Sequence, residues 1–244
     1  MKQEKIKIKS LFISDLHLGN NNSQANKILE LFKKYEFKNL FLVGDIIDMT
    51  YMKRKKFSWH ETHLEVIQKI LKYSKDVNIY YIIGNHDMYI RNLIDNTNIY
   101  LGNILICDDY VYETENERIY VTHGDQFDGF IRIHPFIYWF GDKAYELAIK
   151  INKIYNFFRK IFGFEYWSLS SHLKSKVKNA IEYINEYEKI SKLKLKELNC
   201  DSILMGHTHY PKIIKNVYYN TGDFIESCSY IIEDYTDNLI LNYI

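Results

Sequence analysis

Short apolar runs that each stop at a cluster of metal-ligating or acid–base side chains constrain this chain more than any other feature. Ile6–Ser14, Asn39–Val43, Val77–Ile83, Arg118–Thr122 and Ser202–Met205 read as strands. Directly beyond them stand Asp15-Leu16-His17, Gly44-Asp45-Ile46-Ile47-Asp48, Gly84-Asn85-His86-Asp87, His123-Gly124-Asp125 and Gly206-His207-Thr208-His209. Asn39–Val43 is almost wholly apolar, as expected of a strand buried on both faces. Ser23–Tyr35 and Glu61–Ser74 carry helical periodicity between the early runs. Strands alternating with helices imply βαβ units, which gather ligands at the carboxyl ends of the strands. Ile104–Glu113 and Arg118–Thr122 form an expected hairpin around Thr114-Glu115-Asn116-Glu117. Short strands return at Lys212–Ile214, Val217–Tyr219, Ser227–Glu233 and Leu239–Tyr243.

The texture differs in the middle of the chain. Phe140, Ala144, Leu147, Ile151, Ile154, Phe158 and Ile161 follow a 4-3-4-3 spacing and form one stripe on a long helix. Gly163 interrupts it, and Ser168 or Ser170 can cap a second helix bearing Leu173, Val177, Ala180, Ile184 and Tyr187. The expectation is one α/β domain over residues 1–244 with a helical insertion at about 130–198. Charge follows the same division. The 32 basic and 31 acidic residues nearly cancel, but 131–200 holds thirteen Lys/Arg against seven Asp/Glu, so it is +6 and the rest −5. That balance argues against a dedicated nucleic-acid binder. The basic segment suits an anionic substrate or membrane surface, and equally a solvated helical face.

Cys107, Cys200 and Cys228 show neither disulfide-framework nor zinc-ribbon spacing, which favours a reducing compartment. Lysine alternates with isoleucine near Met1–Ser10, where a signal peptide would carry an apolar core. No stretch approaches the roughly 18 apolar residues of a membrane span. A cytoplasmic location is expected, with any membrane contact peripheral.

The motifs carry the chemistry. Asp15 and His17 lie two residues apart, and on an extended segment they would point to one side and could ligate one ion; alone, the pair equally fits a solvated loop. Asp45 follows Gly44 at a strand end, where its two oxygens can bridge two cations or make an Asx turn. Asn85 can ligate through its amide oxygen and leave His86 free to act on substrate. His123 and the pair His207 and His209 add imidazoles. Any one of these histidines could be structural, so the reading rests on the whole set.

Taken together, the five motifs resemble those of the calcineurin-like metallophosphoesterases over nearly the whole chain. The resemblance implies an α/β fold, a two-sheet β-sandwich flanked by helices, with a helical lid insertion and two divalent metals at a sheet edge. By motif matching, Asp15, His17, Asp45 and His209 would hold one metal, and Asp45, Asn85, His123 and His207 the other. His86 matches the histidine that assists at the leaving group, and Asp48 the acid that orients it. Mixed carboxylate, amide and imidazole ligands suit Mn²⁺ or Fe²⁺, with Zn²⁺ as a further candidate. Such a pair of ions lowers the pKa of a shared water and clamps phosphate oxygens.

Further features are similar to the UDP-2,3-diacylglucosamine diphosphatase group of lipid A synthesis. They are His123-Gly124-Asp125-Gln126-Phe127-Asp128, Trp167-Ser168-Leu169-Ser170, the lysines Lys174, Lys176 and Lys178, and Asn220 through Cys228. The resemblance implies release of UMP and a diacylated sugar phosphate, and peripheral contact with the cytoplasmic face of the inner membrane. Asp128, Lys174 and Lys178 would then contact sugar or phosphate, with Asn85, His86 and His207 also facing the substrate. One departure stands out: the best-known members of that group have arginine where this chain has His86. A phosphoesterase acting on another nucleotide, phosphodiester or phosphoprotein is the competing expectation.

Overall fold

The computed structural model describes residues 4–54, 59–94, 97–130, 151–164, 187, 189–190 and 192–244. They fall into two compact units, one of residues 1–126 with 191–244 and one of 127–190.

In the first unit, β1 (Ile6–Ile13), β2 (Tyr35–Val43), β3 (Asn78–Ile82) and the short β4 (Ile99–Leu101) and β5 (Ile104–Cys107) belong to a seven-stranded sheet. β11 (Ser229–Glu233) and β12 (Leu239–Tyr243) complete it, in the order β12-β11-β1-β2-β3-β5-β4. Its central strands β1, β2, β3 and β5 are parallel, while β11, β12 and β4 join antiparallel. A five-stranded sheet contains β6 (Asp109–Glu113), β7 (Arg118–Thr122), β8 (Ser202–Met205), β9 (Lys212–Ile214) and β10 (Tyr218–Asn220) in the order β6-β7-β8-β10-β9. Here β7, β8 and β10 are the parallel members. Two mixed sheets flanked by helices are the α/β sandwich expected from the motifs.

The period-two alternation of a strand builds two cores. Phe12, Phe41, Val43, Ile82 and Leu105 from one sheet meet Ile119, Val121, Leu204 and Tyr219 from the other. Phe41 stacks on Phe12 at 4.5 Å and on Tyr80 at 4.3 Å, and Tyr112 of the second sheet meets Phe41 edge-on at 4.9 Å. The intervening residues Leu11, Ile13, Leu40 and Leu42 face the opposite way. There they join α1 (Ala25–Lys34), through Ile28, Leu31 and Phe32, and α3 (Glu61–Tyr73), through Val66 and Ile70.

Three local features depart from expectation. The run 104–113 is two strands, because the chain leaves the first sheet after Cys107 and enters the second at Asp109. β2 begins at Tyr35, whose ring is buried against Tyr230 at 5.9 Å, so tertiary packing extends the strand to the last residue of the expected helix. Two short helices, α2 (Met49–Arg54) and α4 (Met88–Ile94), begin directly after Asp48 and Asp87, where the sequence marks only loop motifs.

In the second unit, 151–161 is helical. Of the expected stripe, Ile151, Ile154, Phe158 and Ile161 are exposed, as are Phe157, Phe162 and Phe164. Phe140, Ala144 and Leu147, and the expected second helix apart from Tyr187, lie outside the described residues. The stretch 192–198, expected within the insertion, is helical and groups with the first unit. Among the described residues, no helix is long and apolar enough to cross a membrane.

Candidate metal centre

Parallel strands of both sheets deliver their carboxyl ends to one place. β1 leads to Asp15, β2 to Asp45, β3 to Asn85, β7 to His123 and β8 to His207. Beyond the strands the first two loops go on pairing: Asp15 N donates to Gly44 O at 3.0 Å, His17 N to Asp45 O at 2.9 Å and Leu18 N to Ile46 O at 2.9 Å. Asp15 and His17 are not on extended backbone, as their spacing suggested. Their φ angles are 52° and 46°, and Asp45, His207 and His209 are left-handed too, at 54°, 61° and 54°. Such conformations cost non-glycine residues on the order of 1–3 kcal/mol each and collect at functional sites. Gly84 allows the loops to close, since a Cβ there would strike the Asp45 carboxylate and backbone nitrogen.

The ligand atoms converge. Asp15 Oδ1 lies 3.0 Å from His209 Nε2 and 3.8 Å from His17 Nε2. Asp45 Oδ2 lies 3.4 Å from His123 Nε2 and 3.8 Å from His17 Nε2, and His123 Nε2 is 3.2 Å from Asn85 Oδ1. His207 is near this second group, with its ring 5.1 Å from that of His123 and its backbone N–H on Asp15 Oδ2 at 3.1 Å. Among the described residues, three clusters bring acid and imidazole atoms close enough to share an ion: Asp15, His17 and His209; Asp15, Asp45 and His123; and His17, Asp45 and His86. The third includes His86, for which the family resemblance implies a place on substrate. Its Nε2 is 4.0 Å from Asp45 Oδ2.

The neighbouring hydrogen bonds fix which atoms point inward. His123 Nδ1 donates to the Val43 carbonyl at 3.0 Å, which turns Nε2 toward Asp45 and Asn85. Asp48 binds two imidazoles at once, His86 Nδ1 at 2.7 Å on one oxygen and His17 Nδ1 at 3.2 Å on the other. It also receives Asn20 Nδ2 at 3.0 Å and, from α2, the Tyr51 N–H at 2.8 Å. The role matched to Asp48 concerned His86 alone; the structure joins it to His17 as well.

Electrostatics favour cations here. Burial opposes charge on His17, but Asp48, Asp45 and Asp15 outweigh it and carry the imidazole up to about 9. His123 is raised to about 10 in the same way, burial being outweighed by Asp45 and Asp15. Burial also resists ionisation of Asp15, yet His209 and His123 lower it to about 2. His17 Nε2 is buried without a hydrogen-bond partner, and Asp15 Oδ1 is buried with the His209 imidazole beside it at 3.0 Å. A buried carboxylate oxygen and a buried imidazole nitrogen facing one another are the donors that a borderline divalent ion binds, so the residues fit such ions.

Two further acids shape the centre. Asp87, which ends the third motif, accepts the Ile46 and Ile47 N–H groups on its carboxylate at 3.0 and 2.9 Å, tying the third loop to the second. Burial, then Asp45, raises its pKa to about 7. Asp223, just beyond β10, has Oδ2 4.0 Å from His209 Nδ1 while Oδ1 accepts the Ile225 N–H at 2.7 Å. Its signal was its place in the Asn220–Cys228 stretch. Of the other expected contacts, Asp128 belongs to the second unit and accepts the Tyr187 hydroxyl; Lys174 and Lys178 lie outside the described residues.

Paired sheets with acid and histidine side chains gathered at their strand ends define an α/β sandwich with a candidate metal centre. The family model of calcineurin-like phosphoesterases matches residues 8–211, and the chain belongs to that family of phosphoester hydrolases. It is 23% identical over 218 residues to the UDP-2,3-diacylglucosamine hydrolase of Blochmanniella pennsylvanica (strain BPEN), covering 84% of this chain and 80% of that one. A hypothetical protein of Pyrococcus horikoshii OT3 shares the fold with a TM-score of 0.50 and 13% identity, over 98% of this chain and 88% of that one. The phosphoesterase Yfce of E. coli is similar over 97% of this chain and all of its own, with a TM-score of 0.46 and 15% identity.

Proposed function

We propose that the chain uses two divalent cations, Mn²⁺ favoured, held by Asp15, His17, Asp45, Asn85, His123, His207 and His209. Its substrate in this reading is UDP-2,3-diacylglucosamine, hydrolysed to UMP and 2,3-diacylglucosamine 1-phosphate. When bound, the cations would activate water and neutralise phosphate oxygens. The protein's own groups supply the rest. Asp45 sits between the two ligand groups, with Oδ2 3.8 Å from His17 Nε2 and 3.4 Å from His123 Nε2, while Oδ1 accepts the His86 N–H at 2.7 Å. His86 donates from Nδ1 to Asp48 and keeps Nε2, on a side chain 31% exposed, free to give a proton to the departing oxygen. The observation that carries the chemistry is the Asp48 carboxylate. One buried acid aligns a ligand-type histidine and an acid-type histidine, whose rings stand 4.7 Å apart.

Support for the lipid nucleotide comes from the Blochmanniella relative and from the 151–164 stretch. That stretch exposes apolar side chains among Lys153, Arg159 and Lys160 and has no acidic residue. An exposed apolar and basic helix fits peripheral contact with the anionic cytoplasmic face of the inner membrane. His86, where the best-known diphosphatases carry arginine, favours the second reading, a phosphoesterase for another nucleotide, phosphodiester or phosphoprotein. Purified protein with Mn²⁺ is to be offered UDP-2,3-diacylglucosamine, bis-p-nitrophenyl phosphate and a DNA strand. Release of UMP from the first supports the lipid reading; turnover of the diester with none of the lipid assigns the second. Sedimentation with anionic vesicles, before and after deleting 136–167, tests the membrane contact.

A further inference from the structure

Asp125 closes the fourth motif but touches none of the ligand atoms described above. Its partner is Arg91, on the outward course of α4. The Arg91 guanidinium donates from Nη1 to Asp125 Oδ2 at 3.0 Å, from Nη2 to the Ile83 carbonyl at 3.1 Å and from Nε to Asp108 Oδ1 at 2.6 Å. A longer contact joins Nη2 to Asp125 Oδ1 at 3.5 Å. The anchor points are significant. Ile83 immediately precedes Gly84-Asn85, Asp125 follows His123 by two residues, and Asp108 marks the crossing from β5 to β6. One planar fork therefore joins the two loops that bring Asn85 and His123 together at 3.2 Å.

We infer that Arg91, with Asp125, is a positioning residue for the Asn85–His123 half of the metal centre. The inference rests on the two-cation reading and adds to it a control on the second ion alone. The guanidinium offers five donors in a fixed plane, whereas lysine offers a single flexible charge, so Arg91→Lys preserves the charge and loses the geometry. Partners of metal ligands typically govern affinity by about 10–100-fold when removed.

The test counts Mn²⁺ per chain by equilibrium dialysis of the wild type, Arg91→Lys, Asp125→Asn and a control, Arg118→Lys. Arg118 also bridges through its guanidinium, with Nη1 on the Asn199 carbonyl at 3.2 Å and Nε 3.3 Å from Glu113, at the opposite end of β7. The inference expects two ions in the wild type and in Arg118→Lys. Arg91→Lys and Asp125→Asn should keep one ion at wild-type affinity and hold the second about 10–100-fold more weakly. Both ions retained at wild-type affinity in Arg91→Lys and Asp125→Asn would overturn the positioning role and leave the two-cation reading intact. Equal weakening of both ions overturns it as well, as a general loss of packing. Fewer than two ions in the wild type overturns the two-cation reading and this inference with it.

Discussion

In the proposed centre Asp48 is buried, whereas His86 is partly exposed. His86 shares Asp48 with His17 but keeps a partly exposed ring, so it can be removed without dismantling the cluster. Turnover of His86→Ala is expected to fall by about 10²–10⁴-fold with metal content unchanged. Loss of metal from that variant, measured by elemental analysis, would instead make His86 a ligand. Asp48→Asn should do more damage, because the same substitution loosens His17: metal affinity is expected to drop by about 10–100-fold along with turnover. A variant with normal metal binding and reduced rate would confine Asp48 to His86. The identities of these residues were legible from their motifs. Their backbone was not, because left-handed φ at Asp15, His17, Asp45, His207 and His209 depends on loops packed against one another, and non-glycine residues rarely announce it.

At the scale of elements, the strands hold the site in place. The parallel arrangement of β1, β2 and β3, and of β7, β8 and β10, sends every candidate ligand to carboxyl ends, and the aromatic stack between the sheets fixes how those ends meet. Phe41 is fully buried at the centre of that stack, touching Phe12, Tyr80 and Tyr112. Phe41→Ala is expected to cost about 3–5 kcal/mol in urea unfolding. A loss under about 1 kcal/mol would mean that the two sheets do not rely on this contact. Alternation and buried apolar runs made most strands readable from sequence. The switch of sheet between Cys107 and Asp109 was not readable, since a continuous β-rich run looks the same whether its two halves pair with one sheet or two. α2 and α4 were hidden for another reason: six and seven residues are too few to establish a helical period.

For the whole molecule, the acid cluster links folding, pH and metal. In the metal-free chain His17 is raised to about 9 and His123 to about 10, above the ordinary value near 6.5. Their stabilisation is therefore fully present below about pH 6.5 and lost as pH rises through 9 to 10. Metal ligation needs neutral imidazoles, so in the proposed centre Mn²⁺ affinity is expected to run the other way and strengthen over the same interval. The melting temperature in EDTA should fall from pH 7 to pH 10, while the gain from saturating Mn²⁺ grows. A metal-free melting temperature that climbs with pH would contradict the charge balance. The most direct test is anomalous diffraction from crystals grown with Mn²⁺. The account predicts two peaks about 3.5–4 Å apart, with Asp45 between them and the other six ligands divided around them. No peak, or a single peak that leaves Asn85 and His123 unengaged, would contradict it.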